Sequence, residues 1–445
     1  MRDSRAEKQP AGVPGRAKQA GETRGIWSWV EPSVWTERML TALEMGVQGG
    51  KWYSLIDKVS QLRNLESAFT QVKRNKGSAG VDRVTVRMYE ADLGENLKRL
   101  AASLRDGTYR PQAIRRVWIP KPGSREKRPL GIPTVRDRIV QTALRNVLEP
   151  IFERDFAAQS YGFRPRRGAK DALRRVDELL KAGNIHVVDA DLKGYYDTIP
   201  RQPLLELVRS KVSDSKVLAL LSAYLEQEVM ESAKHWTPER GTPQGAVVSP
   251  LLSNIYLDPL DHHMAQLGYE MVRYADDFVI LCRSQTEARR ALAEVEEWTA
   301  AAGLQLHADK TRIVDASQQG GFDFLGYHFE RGYRWPSGKS LRKIRDKIRT
   351  RTKRTAGISL QRIIEVLTPI QKGWFEYFKH SHWTSFRPLD GWIRMRLRSI
   401  LRYRQGGRGR ALGKDHHRWP NAFFTEQGLF SFVAASAQIR QSSRR

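Results

Sequence analysis

The sequence has a single cysteine, Cys282, among its 445 residues, and it lacks any apolar run of about 18 residues. One thiol excludes an internal disulfide and a zinc site built from several cysteines, which fits a reducing compartment. The missing apolar run excludes a transmembrane helix, and the N-terminus has no apolar signal-peptide core. We therefore expect an intracellular, cytoplasmic protein with no membrane partner.

Acidic residues are also scarce. The chain has 49 Asp and Glu against 76 Lys and Arg, a formal net charge of +27. Residues 331–445 carry 27 basic and 6 acidic side chains, a net of +21, and the first 330 residues account for only +6. This excess predicts a polyanionic partner, nucleic acid before an anionic membrane, bound mainly through the C-terminal end.

Strand-like and helix-like segments are mixed up to about residue 330. Strands are predicted at 117–120, 129–133, 185–191, 304–306 and 322–329, and helices over about 135–152, 203–211, 215–226 and 285–302. Hairpins without regular strand–helix–strand units favour an α+β fold with an antiparallel sheet. From Leu341 onward the chain is helical and basic.

A domain boundary is expected within residues 330–340, where Gly, Pro and Ser interrupt the pattern. We therefore divide the chain into a basic tail with an N-terminal segment (1–50), an α+β region (51–335), an all-helical region (336–430) and a C-terminal tail (431–445).

Two adjacent acids, Asp276 and Asp277, separate a short apolar run at 271–274 from a longer one at 278–281. This pattern predicts a tight β-hairpin with the acids at its tip. Carboxylates there need water, a basic partner or a divalent cation. A two-metal phosphoryl-transfer site uses such ligands on a rigid support, whereas a solvated turn is the alternative.

A second acid stands at the end of a predicted strand. Asp189 and Asp191 share one face of the segment 185–191, and Asp191 lies where the strand stops. Asp191 is the candidate third ligand, and an ordinary strand end is the alternative interpretation. Tyr196 follows five residues later. Its ring can pack beside the sugar of a nucleotide and clash with a 2′-hydroxyl, or it can be a core tyrosine.

Other segments supply candidate nucleotide contacts. Gln244 and Gly245 lie in a glycine-flanked loop through which a backbone can approach a ligand closely. Lys121 and Arg128 lie in a basic turn that can clamp a triphosphate. Lys310 follows the strand at 304–306 and can serve as a general acid toward pyrophosphate. For each taken alone, an ordinary turn or a solvated charge is the simpler interpretation.

The order of these segments is more informative than any one of them. A basic hairpin, Ser160–Arg164, Asp191 with Tyr196, Pro243–Gly245, Tyr274–Asp277 and Lys310 follow one another along the chain. The series resembles the ordered motif blocks of reverse transcriptases. It is most similar to bacterial group II intron-encoded proteins, which also act as maturases, and the resemblance covers about residues 50–430.

The resemblance implies a right-hand polymerase, with fingers and palm followed by a helical thumb and maturase domain. It implies that Asp191, Asp276 and Asp277 are the catalytic Mg²⁺ ligands. Tyr196 stands where the family has its sugar-gate aromatic residue, most often Phe. The other implied dNTP contacts are Lys121, Arg128, Gln244, Gly245 and Lys310, with Lys127 an alternative to Arg128.

The C-terminal region has a candidate RNA-binding surface. Arg394, Arg398 and Arg402 recur every four residues on one predicted helix, so they share a helix face. A basic ridge of this kind can follow a phosphate backbone and supply salt-sensitive affinity. In the family that the chain resembles, this region grips intron RNA.

The expected activity is therefore RNA-directed DNA synthesis with Mg²⁺, dNTPs, an RNA template and a DNA primer. The expected partners are group II intron RNA and target DNA, and the sequence leaves the oligomeric state open. Two alternatives remain at this point: a splicing maturase with little polymerase activity, or a domesticated reverse transcriptase used in defence or repair. With Cys282 as the only cysteine, we expect no cysteine-containing endonuclease domain.

Overall fold

The computed structural model describes residues 25–47, 49–120, 127–232 and 234–442. Lys121 lies outside these ranges. None of the helices in the described ranges is both long and apolar enough to cross a membrane.

Up to residue 236, the described ranges contain helices and the strands β1 to β5. The helices are α1 (Glu37–Met45), α2 (Ile56–Val59), α3 (Leu62–Arg74), α4 (Val86–Ala91), α5 (Leu93–Asp106), α6 (Val135–Glu153), α7 (Ala169–Lys181), α8 (Tyr195–Thr198), α9 (Arg201–Lys211) and α10 (Ser215–Leu225). The strands are β1 (Ile114–Pro120), β2 (Lys127–Ile132), β3 (His186–Asp191), β4 (Val229–Glu231) and β5 (Lys234–Trp236).

From residue 249 onward, two helices and two small β units precede a series of helices. The strands are β6 (Glu270–Tyr274), β7 (Asp277–Cys282), β8 (Arg312–Asp315), β9 (Phe322–Phe324), β10 (Tyr327–Glu330) and β11 (Tyr333–Pro336). The helices are α11 (Ser249–Gln266), α12 (Gln285–Ala301), α13 (Gly338–Arg351), α14 (Leu360–Phe378), α15 (Phe386–Arg404), α16 (Gly413–Arg418), α17 (Asn421–Glu426) and α18 (Phe432–Ser442).

The central sheet has the strand order β6-β7-β3-β8, and all its pairs are antiparallel. Both of its faces are buried, because Val188 and Ile280 belong to one core cluster while Val187 and Val279 belong to another. Helices α11 and α12 pack against the sheet, and so does α7. Burial on two sides explains why β7 reads as an uninterrupted apolar run.

The N-terminal helices belong to the same core as the central sheet. Helix α3 packs along α6, whose Val140, Leu144 and Val147 are fully buried. The carboxylate of Asp214 accepts hydrogen bonds from the backbone N–H groups of Leu55 and Ile56 at 2.6 and 2.8 Å. These contacts fix the start of α2 to the start of α10.

Two smaller sheets flank this centre. The first has the order β2-β1-β4-β5, in which β1 pairs antiparallel with β2 but parallel with β4. The second has the order β11-β10-β9 and is antiparallel throughout. One face of this second sheet, with Phe322, Phe324 and Phe329, is buried against the central sheet and α14.

The helices after residue 338 enclose a separate core. Ile348, Leu367 and Leu397 are fully buried in it, and so is Phe432 of α18. Asp390 on α15 accepts hydrogen bonds from the backbone N–H groups of Phe432 and Val433, both at 3.1 Å. Residues 432–442 therefore form a packed helix. The prediction of a C-terminal tail over residues 431–445 is wrong for this helix.

The α+β class is confirmed, and most predicted helices lie within a few residues of the observed ones. The predicted strand at 304–306 is wrong, since only an isolated bridge joins Leu306 to Leu192. The parallel β1–β4 pair and the β4–β5 hairpin were not predicted. Strands of three residues are too short to produce a recognisable alternation of apolar and polar side chains.

Candidate active site

Asp191 and Asp277 face each other across two paired strands. Strand β3 is antiparallel to β7, and the register pairs Asp191 with Asp277. Asp191 is the last residue of β3 and Asp277 is the first of β7. Asp276 lies in the turn that joins β6 to β7. The strand pairing thus brings residues 191, 276 and 277 to one end of the central sheet.

The turn has a backbone conformation that residues other than glycine rarely adopt. Ala275 has a φ of +60°, a left-handed value that costs an L-residue about 1–2 kcal/mol. Gly162 packs against this turn so closely that a Cβ there would lie 2.2 Å from the Ala275 nitrogen. The glycine of the Ser160–Arg164 segment is therefore required by its close approach to the acidic turn.

The side chain of Arg273 stabilises the acidic turn through hydrogen bonds. Its side chain is fully buried, and its Nε donates to Asp261 Oδ1 at 2.7 Å. Its Nη1 donates to the Ala275 carbonyl at 2.8 Å and to Asn254 Oδ1 at 3.0 Å. Asn254 in turn donates to the Gly162 carbonyl at 2.8 Å. One buried guanidinium thereby connects α11, the Gly162 segment and the acidic turn.

The acids concentrate negative charge in a half-buried place. Burial, reinforced by the charges of Asp189, Asp276 and Asp191, raises the pKa of Asp277 to about 7. Burial also raises the pKa of Asp276, and the charge of Asp191 adds to the effect. Lys310 Nζ lies 2.6 Å from Asp191 Oδ2, so a cation of the protein itself already compensates part of this charge.

The donor set suits a divalent cation. Three carboxylates supply hard oxygen ligands, and their mutual repulsion is relieved when a cation binds among them. Within the described ranges, no three His, Cys, Asp or Glu side chains are grouped tightly enough to hold an ion as they stand. Asp191 is instead bonded to Lys310. The donors therefore suit a metal ion chemically, and the strand register brings them to one end of the sheet, but they do not form a closed ligand cluster.

Tyr196 lies beside the carboxylates on α8. Its side chain is half-buried, and its ring stands 5.6 Å from that of Tyr195. Tyr195 is buried and donates to the Ser253 carbonyl at 2.7 Å. The Tyr196 carbonyl accepts a hydrogen bond from the backbone N–H of Thr242 at 2.7 Å. This bond connects the glycine-flanked loop to the backbone of Tyr196.

The loop that carries Gln244 and Gly245 is fixed to β2. The Gln244 carbonyl accepts from the Gly131 N–H at 2.7 Å. Gly245 has a φ of +102°, and a Cβ there would lie 2.3 Å from the Gly131 carbonyl oxygen. Arg128 is exposed near the start of the same strand. Strand β2 therefore links the two candidate nucleotide-binding segments.

Several residues at this site were not assigned a role from the sequence. The negative charge of Asp189 helps to raise the pKa of Asp277. Arg312 Nε lies 3.3 Å from Asp189 Oδ2. The Arg273–Asp261 pair was also missed. A signal was present for Arg273, because a lone arginine between Val272 and Tyr274 of an apolar strand needs a buried partner.

Two family models match successive parts of the chain. Residues 119–329 match the reverse transcriptase (RNA-dependent DNA polymerase) model, which includes all three carboxylates. Residues 341–418 match the group II intron, maturase-specific domain.

Curated relatives agree with these matches. Protein YkfC of Escherichia coli (strain K12) is 31% identical over an alignment of 344 residues that covers 68% of this chain and 86% of YkfC. The chain belongs to the group II intron reverse transcriptase and maturase family. Group II intron-encoded protein LtrA of Lactococcus lactis subsp. cremoris is 41% identical over 179 residues, 40% of this chain and 30% of LtrA. The chain thus spans most of YkfC but less than a third of LtrA.

Family membership defines the general chemistry. The protein is a reverse transcriptase, an RNA-directed DNA polymerase, joined to a maturase domain. Reverse transcriptases depend on divalent metal ions, and both domains bind RNA. The right-hand polymerase expected from the sequence, with a helical region after it, is confirmed.

The maturase domain does not have the arginine ridge that we predicted. Arg398 is buried, and its Nε donates to the Trp419 carbonyl at 2.8 Å. Arg402 Nη1 lies 2.8 Å from Asp415 Oδ2, and Arg394 is half-buried. The four-residue spacing does place the three on one helix face, but α16 and the segment after it pack against that face. They therefore do not form an exposed phosphate-binding ridge.

Proposed function

We propose that this protein extends a DNA primer on an RNA template with dNTPs and Mg²⁺, and that Asp191, Asp276 and Asp277 hold the metal ions. The observation that carries the proposal is the register that pairs Asp191 with Asp277 beside the Asp276 turn. When bound, Mg²⁺ lowers the charge barrier to attack of the primer 3′-hydroxyl on the α-phosphate.

The protein's own residues bind and orient the nucleotide. Tyr196 presents a half-buried ring next to the carboxylates, where its bulk selects against a 2′-hydroxyl. Gln244 and Gly245 support the incoming base pair, because β2 holds their backbone rigid. Arg128 and Lys121 neutralise the triphosphate from the fingers.

Lys310 has two roles in this proposal. Its Nζ is bonded to Asp191 and its side chain is 59% exposed, so it both limits repulsion among the acids and can reach a ligand. As an ammonium group it carries a proton that it can donate to the leaving pyrophosphate. The ammonium group complements the negative phosphates of a dNTP, and the carboxylates complement the positive charge of the metal ions.

We propose further that the maturase domain binds group II intron RNA and assists its splicing, and that the polymerase serves the mobility of that intron into target DNA. The support is the net charge of +21 over residues 331–445, since a basic domain binds RNA phosphates in a salt-dependent manner. We place fingers and palm within residues 51–335 and the thumb and maturase domain from residue 336.

Primer extension by an Asp191→Asn variant tests the polymerase assignment. We expect a loss of at least about 100-fold in rate, with an unchanged urea midpoint, because a charge aimed at the reacting centre is removed. Asp315→Asn is the matched control, since Asp315 pairs with His186 at the opposite end of β3. Equal rates for the two variants would refute the assignment.

A further inference from the structure

The β9–β11 sheet has an outer face that the polymerase site does not use. Side chains alternate across a sheet, so the residues between the buried phenylalanines point outward. The register places His328 opposite Trp335 and Glu330 opposite Tyr333 on that side. Together with the neighbouring residues His382 and Trp383, the three rings of His328, Tyr333 and Trp335 form what we call the aromatic face.

The rings of the aromatic face are contiguous. Ring centroids are 6.4 Å apart between His328 and Trp335, and 5.8 Å between Trp335 and Tyr333. Tyr333 lies 4.9 Å from His382, which lies 5.7 Å from Trp383. Tyr333 is 56% exposed and Trp383 is 51% exposed. The face therefore presents a continuous band of π surface to solvent.

The backbone beneath the band is fixed. The N–H of His382 donates to the Arg334 carbonyl at 2.7 Å, and Arg334 Nε donates to the His380 carbonyl at 2.9 Å. Arg334 Nη1 also lies 3.1 Å from Asp177 Oδ1 on α7. The segment that carries His382 and Trp383 is thus attached to β11, and the rings are held in position before any ligand binds.

The band carries two carboxylates and is flanked by arginines. Its two carboxylates, on Asp323 and Glu330, share one partner, since His328 lies 2.7 Å from the first and 3.5 Å from the second. The guanidinium of Arg440 lies 5.7 Å from the centroid of the Trp383 ring. Arg331 is exposed at the β10–β11 turn. The whole region from residue 331 carries a net charge of +21.

We propose that the aromatic face binds single-stranded RNA by stacking unpaired bases on Tyr333, His382 and Trp383, while Arg331 and Arg440 bind the phosphates. Unpaired bases offer flat faces and phosphates offer charge, so a strand of RNA satisfies both features of the surface. A protein partner could cover the exposed rings, but burying the surrounding arginines against it carries a desolvation cost.

The location of the face adds to the proposal. Asp323, which bonds His328, lies close enough to Asp189 of the palm for their charges to interact. The face therefore starts beside the catalytic sheet and runs toward the maturase domain.

The test is binding of a fluorescent oligouridylate of about eight nucleotides, without metal or dNTP, to the full chain. Omitting metal and dNTP separates this test from the polymerase assignment. We expect the Tyr333→Ala, Trp383→Ala double variant to bind at least tenfold more weakly, and Tyr333→Phe, Trp383→Phe to stay within about threefold of the parent. Tyr53→Ala is the control, since Tyr53 is an exposed aromatic residue outside the maturase domain.

A second measurement keeps the proposal testable if the alanine variant folds poorly. Photocrosslinking of the parent chain to 4-thiouridine oligonucleotide is expected to label peptides that contain residues 333 and 383. Equal affinity of the alanine variant and the control, or adducts confined to other peptides, would overturn the proposal. A self-association of the parent chain that the alanine variant abolishes, with RNA affinity unchanged, would overturn it in favour of a protein interface.

Discussion

Arg273 and Asp261 form a fully buried ion pair directly behind the acidic turn. A second branch of the same guanidinium, Nη1, donates to the carbonyl of Ala275, the residue before Asp276. The ion pair thus fixes a strained backbone position whose neighbours carry the proposed metal ligands. Its geometry links the stability of the central sheet to the orientation of the acidic turn.

Removing one partner of this pair is expected to be costly. Asp261→Asn leaves an uncompensated buried guanidinium, so we expect a loss of about 3–5 kcal/mol in the free energy of unfolding, measured by urea denaturation. Asp177→Asn is the control, because its pair with Arg334 is partly exposed on both sides and contributes about 1 kcal/mol or less. Similar losses in the two variants would contradict this interpretation of the buried pair.

Glu149 on α6 makes stability depend on pH. Burial raises its pKa to about 7, and the nearby charge of Glu153 adds to the shift while Arg145 opposes it. A raised pKa means that the folded state binds a proton more tightly than the unfolded state. The resulting stabilisation is fully present below pH 4.5 and is lost as pH rises through about 7.

Glu149→Gln removes this ionisation. We expect the variant to unfold at the same urea concentration as the parent near pH 5, and to be about 1–3 kcal/mol more stable at pH 8. Glu297→Gln, a change at an exposed position of α12, controls for the loss of one negative charge. A difference between parent and Glu149→Gln that stays constant from pH 5 to pH 8 is incompatible with this account.

Tyr196 is expected to control the choice of sugar. Tyr196→Ala opens the space beside the carboxylates, so the ratio of rNTP to dNTP incorporation should rise at least about tenfold in single-nucleotide extension assays. Tyr196→Phe keeps the ring and should keep the parent ratio. If the alanine variant discriminates as well as the phenylalanine variant, Tyr196 is a core residue.

The sequence was most informative where a local pattern and the tertiary structure agree. The hairpin tip at Asp276 follows from two apolar runs around a pair of acids, and the strand ending at Asp191 follows from a β-branched run. Local patterns do not predict which strands become neighbours. The pairing of these two strands was therefore expected only from the order of the motifs. The short strands β4 and β5 carried too little alternation to be recognised.

The arginines of the predicted RNA-binding ridge show where a local pattern fails to predict the tertiary structure. Spacing alone places Arg394, Arg398 and Arg402 on one helix face, but it does not say whether solvent or another helix meets that face. Asp415 and the Trp419 carbonyl bind two of these side chains, and both partners come from a segment with no strong helical pattern. Arg273 was missed for the same reason, since its partner Asp261 lies on a different element.

The central claim is that Asp276 and Asp277, together with Asp191, form the catalytic metal site of the polymerase. Its most direct test is cDNA synthesis by an Asp276→Ala, Asp277→Ala variant, measured beside its affinity for the intron RNA. The account predicts that extension is abolished while RNA affinity stays near that of the parent, because the maturase domain lies outside the changed turn. Primer extension that survives the double substitution would contradict the account.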